Sequence, residues 1–199
     1  MLFLDNSINW NDGTPARHII NINKKYNAKN NFAGSICHCI SVDFMIKYLI
    51  QKNVKDLILV DSDVLFKQNP LNVINHDYVS IGQYNYDYKR IDPCFIYFNL
   101  DKIKEYRLNY FDETRMLGIS TENYKEYDTG SSFTEDIIKN NYKYLDIKYT
   151  DYVEHFVGGS YIFNSADLPK WHNIKKEDQP QYTYNLVYKW LSEHSSLYL

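Results

Sequence analysis

The chain has 199 residues, enough for one domain with a real core or at most two small ones. Its 44% apolar and 24% charged residues are ordinary for a soluble globular protein, and a net charge of −3 gives no electrostatic footprint for free DNA or RNA. A phosphorylated small molecule stays open, because a bound cation can carry the local charge. The 20 tyrosines, with frequent Asn, Lys and Ile, read mostly as AT-rich coding, with some rings available to stack on bases or sugars. Three cysteines without framework spacing fit a reducing compartment. Cys37-His38-Cys39 falls in a helical pattern, where adjacent residues point apart, so buried structural cysteines are expected there rather than a metal cluster. No apolar run approaches membrane-spanning length, and MLFLD lacks the basic and long apolar regions of a signal peptide. The expectation is a soluble, cytoplasmic protein without a transmembrane segment.

Met1 to Leu4 reads as a short strand, closed by the turn-forming DNSINWNDGTP, and Arg17 to Ile22 as a second strand. From Ser35 a helix is predicted, with Gly34-Ser35 as its start signal. Its apolar face is read as Ile36, Cys39, Ile40, Phe44, Ile46, Tyr48 and Leu49. Leu57 to Val60 is a continuous apolar run, as in a strand buried on both faces. Asn69-Pro70 marks a turn, Tyr78 to Ile81 a strand, and GQYNYDYKRIDP a loop. Cys94 to Leu100 is another strand, leading into a helix at DKIKEY; Thr129 to Asn140 is a further helix with weak caps. Tyr144 to Tyr149 alternates like a strand, and Gly158 to Phe163 reads as a glycine turn and a strand. Gln179-Pro180 opens a last helix that buries Tyr182, Leu186, Val187, Trp190 and Leu191. Strand and helix alternate without a repeat or a clear linker, which predicts a single α/β domain over residues 1–199.

The buried run ends in Asp61-Ser62-Asp63. In a parallel α/β sheet, ligands bind beyond the carboxyl ends of strands. Alternation puts residues i and i+2 on one side, so both carboxylates can converge. Held together they repel, and a hard divalent cation resolves that conflict. The competing structural reading is one capping Asp and one solvated Asp.

LVDSDVLF resembles the DxD motif of GT-A glycosyltransferases, which ends a central strand and holds the metal bound to the donor's diphosphate. MLFLDNSINWNDGT is similar to the second strand and loop of family 2 glycosyltransferases, which implies nucleobase contacts from Asp5 and from Asn6. The helix from Ser35 resembles the one preceding DxD in that family, making Ser35 and His38 candidate polar contacts beside Ser62; for His38 an ordinary satisfied histidine competes. CFIYFNLDKIKE resembles the later strand that carries Asn-Leu before a helix. YVEHFVGGSY is similar to the late His-x-x-Gly segment, which implies His155 as a third metal ligand and Gly158 and Gly159 against the diphosphate. The match runs from residue 1 to about 165 and starts at what would be the second strand. A short form is therefore expected, with RHIINI in the missing strand's place or with weakened donor binding.

The resemblance implies a GT-A (Rossmann-like) α/β fold with a mixed, mostly parallel sheet flanked by helices. It also implies Mn²⁺ or Mg²⁺ at Asp61, Asp63 and His155, a UDP-sugar donor, and a glycan or other hydroxyl acceptor. By likeness to inverting family 2 enzymes, Asp128 is the base, with Asp151 and Glu154 as alternatives; an N-cap role competes for Asp128. DSDVLF also resembles the first motif of haloacid-dehalogenase-like phosphatases, but about 55 structured residues precede it here and no convincing downstream acidic pair, placed after an apolar run, appears. A non-catalytic nucleotide-sugar-binding module on the same scaffold is the other rival.

Overall fold

A computed structural model describes residues 32–61, 64–117, 129–155 and, in the last predicted helix, 185, 188, 189, 192 and 193. The strands predicted at 1–4, 17–22 and 158–163 lie outside the described residues. The described part is a mixed α/β structure in two compact units. One comprises residues up to Leu59 together with Ile74–Ile147, the other Val60–Val73 together with the residues from Lys148 on.

The first unit opens with α1, Phe32–Gln51. It begins before the Gly34-Ser35 signal, which it carries inside its first turn. Asn53, in the left-handed region, closes it, and the Val54 N–H returns to the Leu49 carbonyl at 3.0 Å. The buried side is Cys39, Val42, Met45 and Ile46, whereas Phe44 and Tyr48 are 59% and 40% exposed. Those two, four residues apart, form a stripe of their own that the sequence reading had merged into the core face. Asp43 sits on the buried side. Its carboxylate accepts the Tyr110 N–H at 2.8 Å and the Phe111 N–H at 3.3 Å, and it pairs with Lys47. A charge is tolerated there because it satisfies two loop amides and has a counter-ion.

The main sheet has the order β1-β4-β3-β5, with β1 at Asp56–Val60, β3 at Ser80–Asn85, β4 at Arg90–Asn99 and β5 at Tyr144–Asp146. β3 is antiparallel to β4 and parallel to β5. The Leu100 N–H, just past β4, bonds the Lys55 carbonyl, just before β1, at 2.8 Å. These neighbouring strands therefore run antiparallel. β1, β3 and β5 point one way and β4 the other. β1 is half-buried along its length, and the strand buried nearly throughout is β4. A sheet-edge position among the described strands explains this: a central strand is covered on both faces and both sides, an edge strand is not.

GQYNYDYKRIDP is a hairpin rather than a loop. The Asn85 side chain accepts the N–H groups of Asp87 and Tyr88 at 3.1 and 3.2 Å, and Lys89 takes the left-handed conformation, which turns the chain within four residues. The register jumps from Gly82↔Ile96 to Tyr84↔Ile91, and the bulge absorbs Asp92-Pro93 without breaking the ladder on either side.

Helix α2, Leu100–Tyr106, follows β4 directly, capped by the Asn99 side chain on the Lys102 N–H at 3.1 Å. Helices α3, Glu113–Leu117, and α4, Ser131–Lys139, complete the unit. The core joins α1 to β4, α2 and α4. At its centre Phe98 meets Tyr110 and Phe133 edge-on, at centroid distances of 5.7 and 5.4 Å. Cys39 is buried, as expected, and so is Cys94. Among the described residues no helix is long and apolar enough to cross a membrane. In the second unit, β2, Val64–Phe66, and β6, Val153–His155, form a two-stranded antiparallel ribbon that the sequence reading did not anticipate. The five described residues of the last predicted helix are helical and exposed; its apolar residues lie outside the described set.

Gly130 caps α4 at φ +80°, and an added Cβ would lie 2.8 Å from the Tyr110 hydroxyl. Gly130→Ala is expected to cost about 1–3 kcal/mol, read by urea unfolding; equal stability would show that this turn relaxes freely. A second test concerns Asp112. The backbone N–H of Arg115 bonded to it, against the opposing effect of burial and helped by the Arg115 guanidinium, holds its carboxyl below the usual carboxylate range. A depressed folded-state pKa adds stability above the unfolded value of about 3.9, which is lost as pH falls through the folded one. Asp112→Asn, which keeps the cap oxygen, should be less stable at pH 7, with the gap closing below about pH 4. A gap independent of pH would contradict the charge account.

Candidate functional site

The site begins where β1 ends. Asp61 follows Val60, the first residue of the second unit, and its side chain is about one-third exposed. The β2–β6 ribbon aligns Val64 opposite His155, Leu65 opposite Glu154, and Phe66 opposite Val153. Opposed residues share a face and successive residues alternate. His155 therefore stands on one face of the ribbon with Val64, Val153 and Phe66, and Glu154 stands on the other with Leu65.

The first face turns His155 toward Asp61. Nε2 and Oδ2 are 4.0 Å apart, and the imidazole is the more enclosed, at 15% exposure. Tyr149, from the 3₁₀ turn Tyr149–Asp151, meets the His155 ring edge-on at 6.1 Å and 72°. The separation is too long for a hydrogen bond. It lies within the ~4.2 Å that two donors, each ~2.1 Å from one ion, can span. A carboxylate oxygen and an imidazole nitrogen are both acceptable to Mn²⁺. The pair therefore fits two positions of one divalent cation's shell. Among the described residues no group of three or more His, Cys, Asp or Glu side chains is arranged around an ion. Asp63, the other carboxylate of the motif, lies outside the described residues, as does Ser62.

The second face is structural. Lys67 pairs with Glu154 at 2.7 Å and donates to the Thr150 carbonyl at 3.0 Å, while its backbone N–H bonds the Tyr152 carbonyl at 2.7 Å. Gln68 donates to the Asp151 carbonyl at 3.0 Å. These bonds tie the 3₁₀ turn and the residue after it to the end of β2 and so fix the approach to His155. Glu154 stands on the ribbon face opposite His155. Asp151 is exposed in the same turn. The lysine and glutamine that hold the turn escaped the sequence reading, because Lys67-Gln68 carries no motif and its partners are backbone carbonyls more than 80 residues away.

Asp5, Asn6, Asp128, Gly158 and Gly159 lie outside the described residues, and of Ser35 only the helical backbone is described. His38 is half-buried in α1. Next to Asp128, the buried Thr129 gives its carbonyl to Arg90 at 3.1 Å, and the N-cap of α4 is Gly130. Arg90 opens β4, which runs opposite to β1, so the Thr129-Gly130 turn lies at the edge of the sheet where β1 and β3 end. The opposite edge carries an Asp of a different kind. Asp56, at the start of β1, accepts the Tyr97 hydroxyl and meets His76 Nε2, both at 2.8 Å. Burial, and after it the bond to Asp56, pushes the Tyr97 hydroxyl well above the ordinary tyrosine range, so it stays a donor.

No protein-family model, no curated protein and no solved structure matches the chain.

Proposed function

We propose that the chain is a metal-dependent glycosyltransferase of the GT-A kind, moving a sugar from a UDP-sugar to an acceptor hydroxyl. One observation carries the reading: the Asp that ends β1 and a histidine from the far end of the chain stand 4.0 Å apart, at a separation one divalent ion can bridge. Two others support it. The sheet is mixed and flanked by helices, although two of its three strand pairs, β1–β4 and β4–β3, are antiparallel rather than mostly parallel as expected. The turn after Asp128 lies at the edge where β1 and β3 end, which is where ligands bind in α/β sheets.

In this reading Asp61, Asp63 and His155 hold Mn²⁺ or Mg²⁺. When bound, the ion neutralises charge that grows on the leaving diphosphate, as a Lewis acid does. Tyr149 and the Lys67-anchored turn keep the His155 ring in place. Asp5, Asn6, Ser35, His38 and Ser62 contribute nucleotide contacts, and Gly158 and Gly159 allow backbone N–H groups close to phosphate oxygens. Asp128 takes the proton from the acceptor hydroxyl.

The test is a calorimetric titration of UDP with and without Mn²⁺. Asp61→Asn and His155→Ala should each weaken Mn²⁺-supported UDP binding by roughly tenfold or more, the usual scale for changing a metal's surroundings. Glu154→Gln, on the far ribbon face, serves as the control and should leave it within about twofold. Equal loss in all three would mean that the ribbon, and not the ligand set, is what matters. For the base, Asp128→Asn should keep donor affinity while transfer or donor hydrolysis falls by roughly 10²-fold. A full retention of rate would remove Asp128 from catalysis.

A further inference from the structure

We propose that the first unit carries a second small-molecule site, in the cleft between α2 and the turn after α4, and that it takes a phosphorylated polyol of monosaccharide size. The cleft has a volume of about 300 Å³, at the lower end for small-molecule sites and suited to one sugar ring with a phosphate. The buried Val79 forms part of its lining. Tyr106 and Tyr142 line it with rings stacked at a centroid distance of 4.0 Å and 7° between planes. One face of each ring is thereby covered, so a flat base is not the favoured occupant.

The charges point to an anion. Lys102 and Lys143 line the cleft against a single carboxylate, Asp77, in a chain whose net charge is −3. Among the described residues neither ammonium has a hydrogen-bond or ion-pair partner.

The walls are set in advance. Asn141 is held in the left-handed region at φ 54°, and the Lys143 carbonyl accepts the Val79 N–H at 2.8 Å. A phosphate would meet two point charges. Ring hydroxyls would exchange hydrogen bonds with the Asp77 carboxylate, the Asn141 amide and the tyrosine hydroxyls, all of which can accept and two of which can donate. This site shares no residue with the Asp61–His155 pair and does not rest on the transferase reading.

The experiment is calorimetry of the full chain in metal-free buffer, which removes cation-dependent binding at Asp61 from the signal. The probes are glucose 6-phosphate, glucose and inorganic phosphate. Saturable binding of glucose 6-phosphate is expected, with inorganic phosphate weaker by tenfold or so and glucose silent. Lys102→Ala and Lys143→Ala should each weaken it by roughly tenfold or more, and Lys143→Arg should retain most of it. Both lysines reach solvent, and circular dichroism melts establish that the variants fold; if an Ala variant does not, Lys143→Gln replaces it. No saturable binding, equal binding of inorganic phosphate, or unchanged affinity in the double variant would each overturn the proposal.

Discussion

Burial of β4 on both faces is the constraint on which the first unit depends. A strand so covered can satisfy its backbone only through neighbours on both sides, and β1 and β3 supply them. Its side chains then dictate what covers it. Phe98 recruits Tyr110 and Phe133, Asn99 caps α2, and Arg90 fastens the turn ahead of α4. Tyr97 anchors Asp56 and with it the start of β1. Because β4 is the reversed strand, these attachments divide between the two edges of the sheet. The edge where β4 begins receives the loop that leads from Asp128, and the edge where it ends receives the capped helix α2 and the Lys102–Lys143 cleft.

The second unit solves a smaller problem with the same rule of alternation. A histidine and a glutamate adjacent in sequence cannot point the same way on a strand. The β2–β6 ribbon uses this to separate duties: Glu154 is spent on Lys67, which secures the 3₁₀ turn, and His155 is presented to Asp61. A one-residue slip in the ribbon would exchange the two. The Lys67 backbone bond to Tyr152 and the side-chain bond to Thr150 hold the register, although neither residue would touch a bound ion in the proposed site.

The parts legible in the sequence were those with a local signal. The apolar run at 57–60, the strand that runs into a helix near residue 100, and the buried Cys39 needed no partner to be seen. What was missed depended on contacts distant in sequence. The ribbon strands are three residues each, too short for periodicity, and are strands only because each has the other. The hairpin at 80–99 was read as a loop between two strands, and Pro93 is accommodated there by a bulge. The buried face of α1 was misjudged at Phe44 and Tyr48, which are exposed, and it includes Asp43, which two loop amides from 67 and 68 residues on require inside. Of the proposed ligands, the approach of Asp61 to His155 could be anticipated by resemblance alone, since no residue pattern links them.

The two acids that bracket β1 show how a structural carboxylate differs from a candidate ligand. Their exposures are nearly equal, 31% for Asp56 and 35% for Asp61, so burial does not tell them apart. Partner distance does. Asp56 Oδ1 takes a buried tyrosine hydroxyl and an imidazole, both at 2.8 Å, and this is the full closing distance of a hydrogen bond. Asp61 meets its imidazole at 4.0 Å, a separation that two ligands of one ion can span. That separation, on a ribbon face set by the β2–β6 register, makes the carboxyl end of β1 the place to look for an ion.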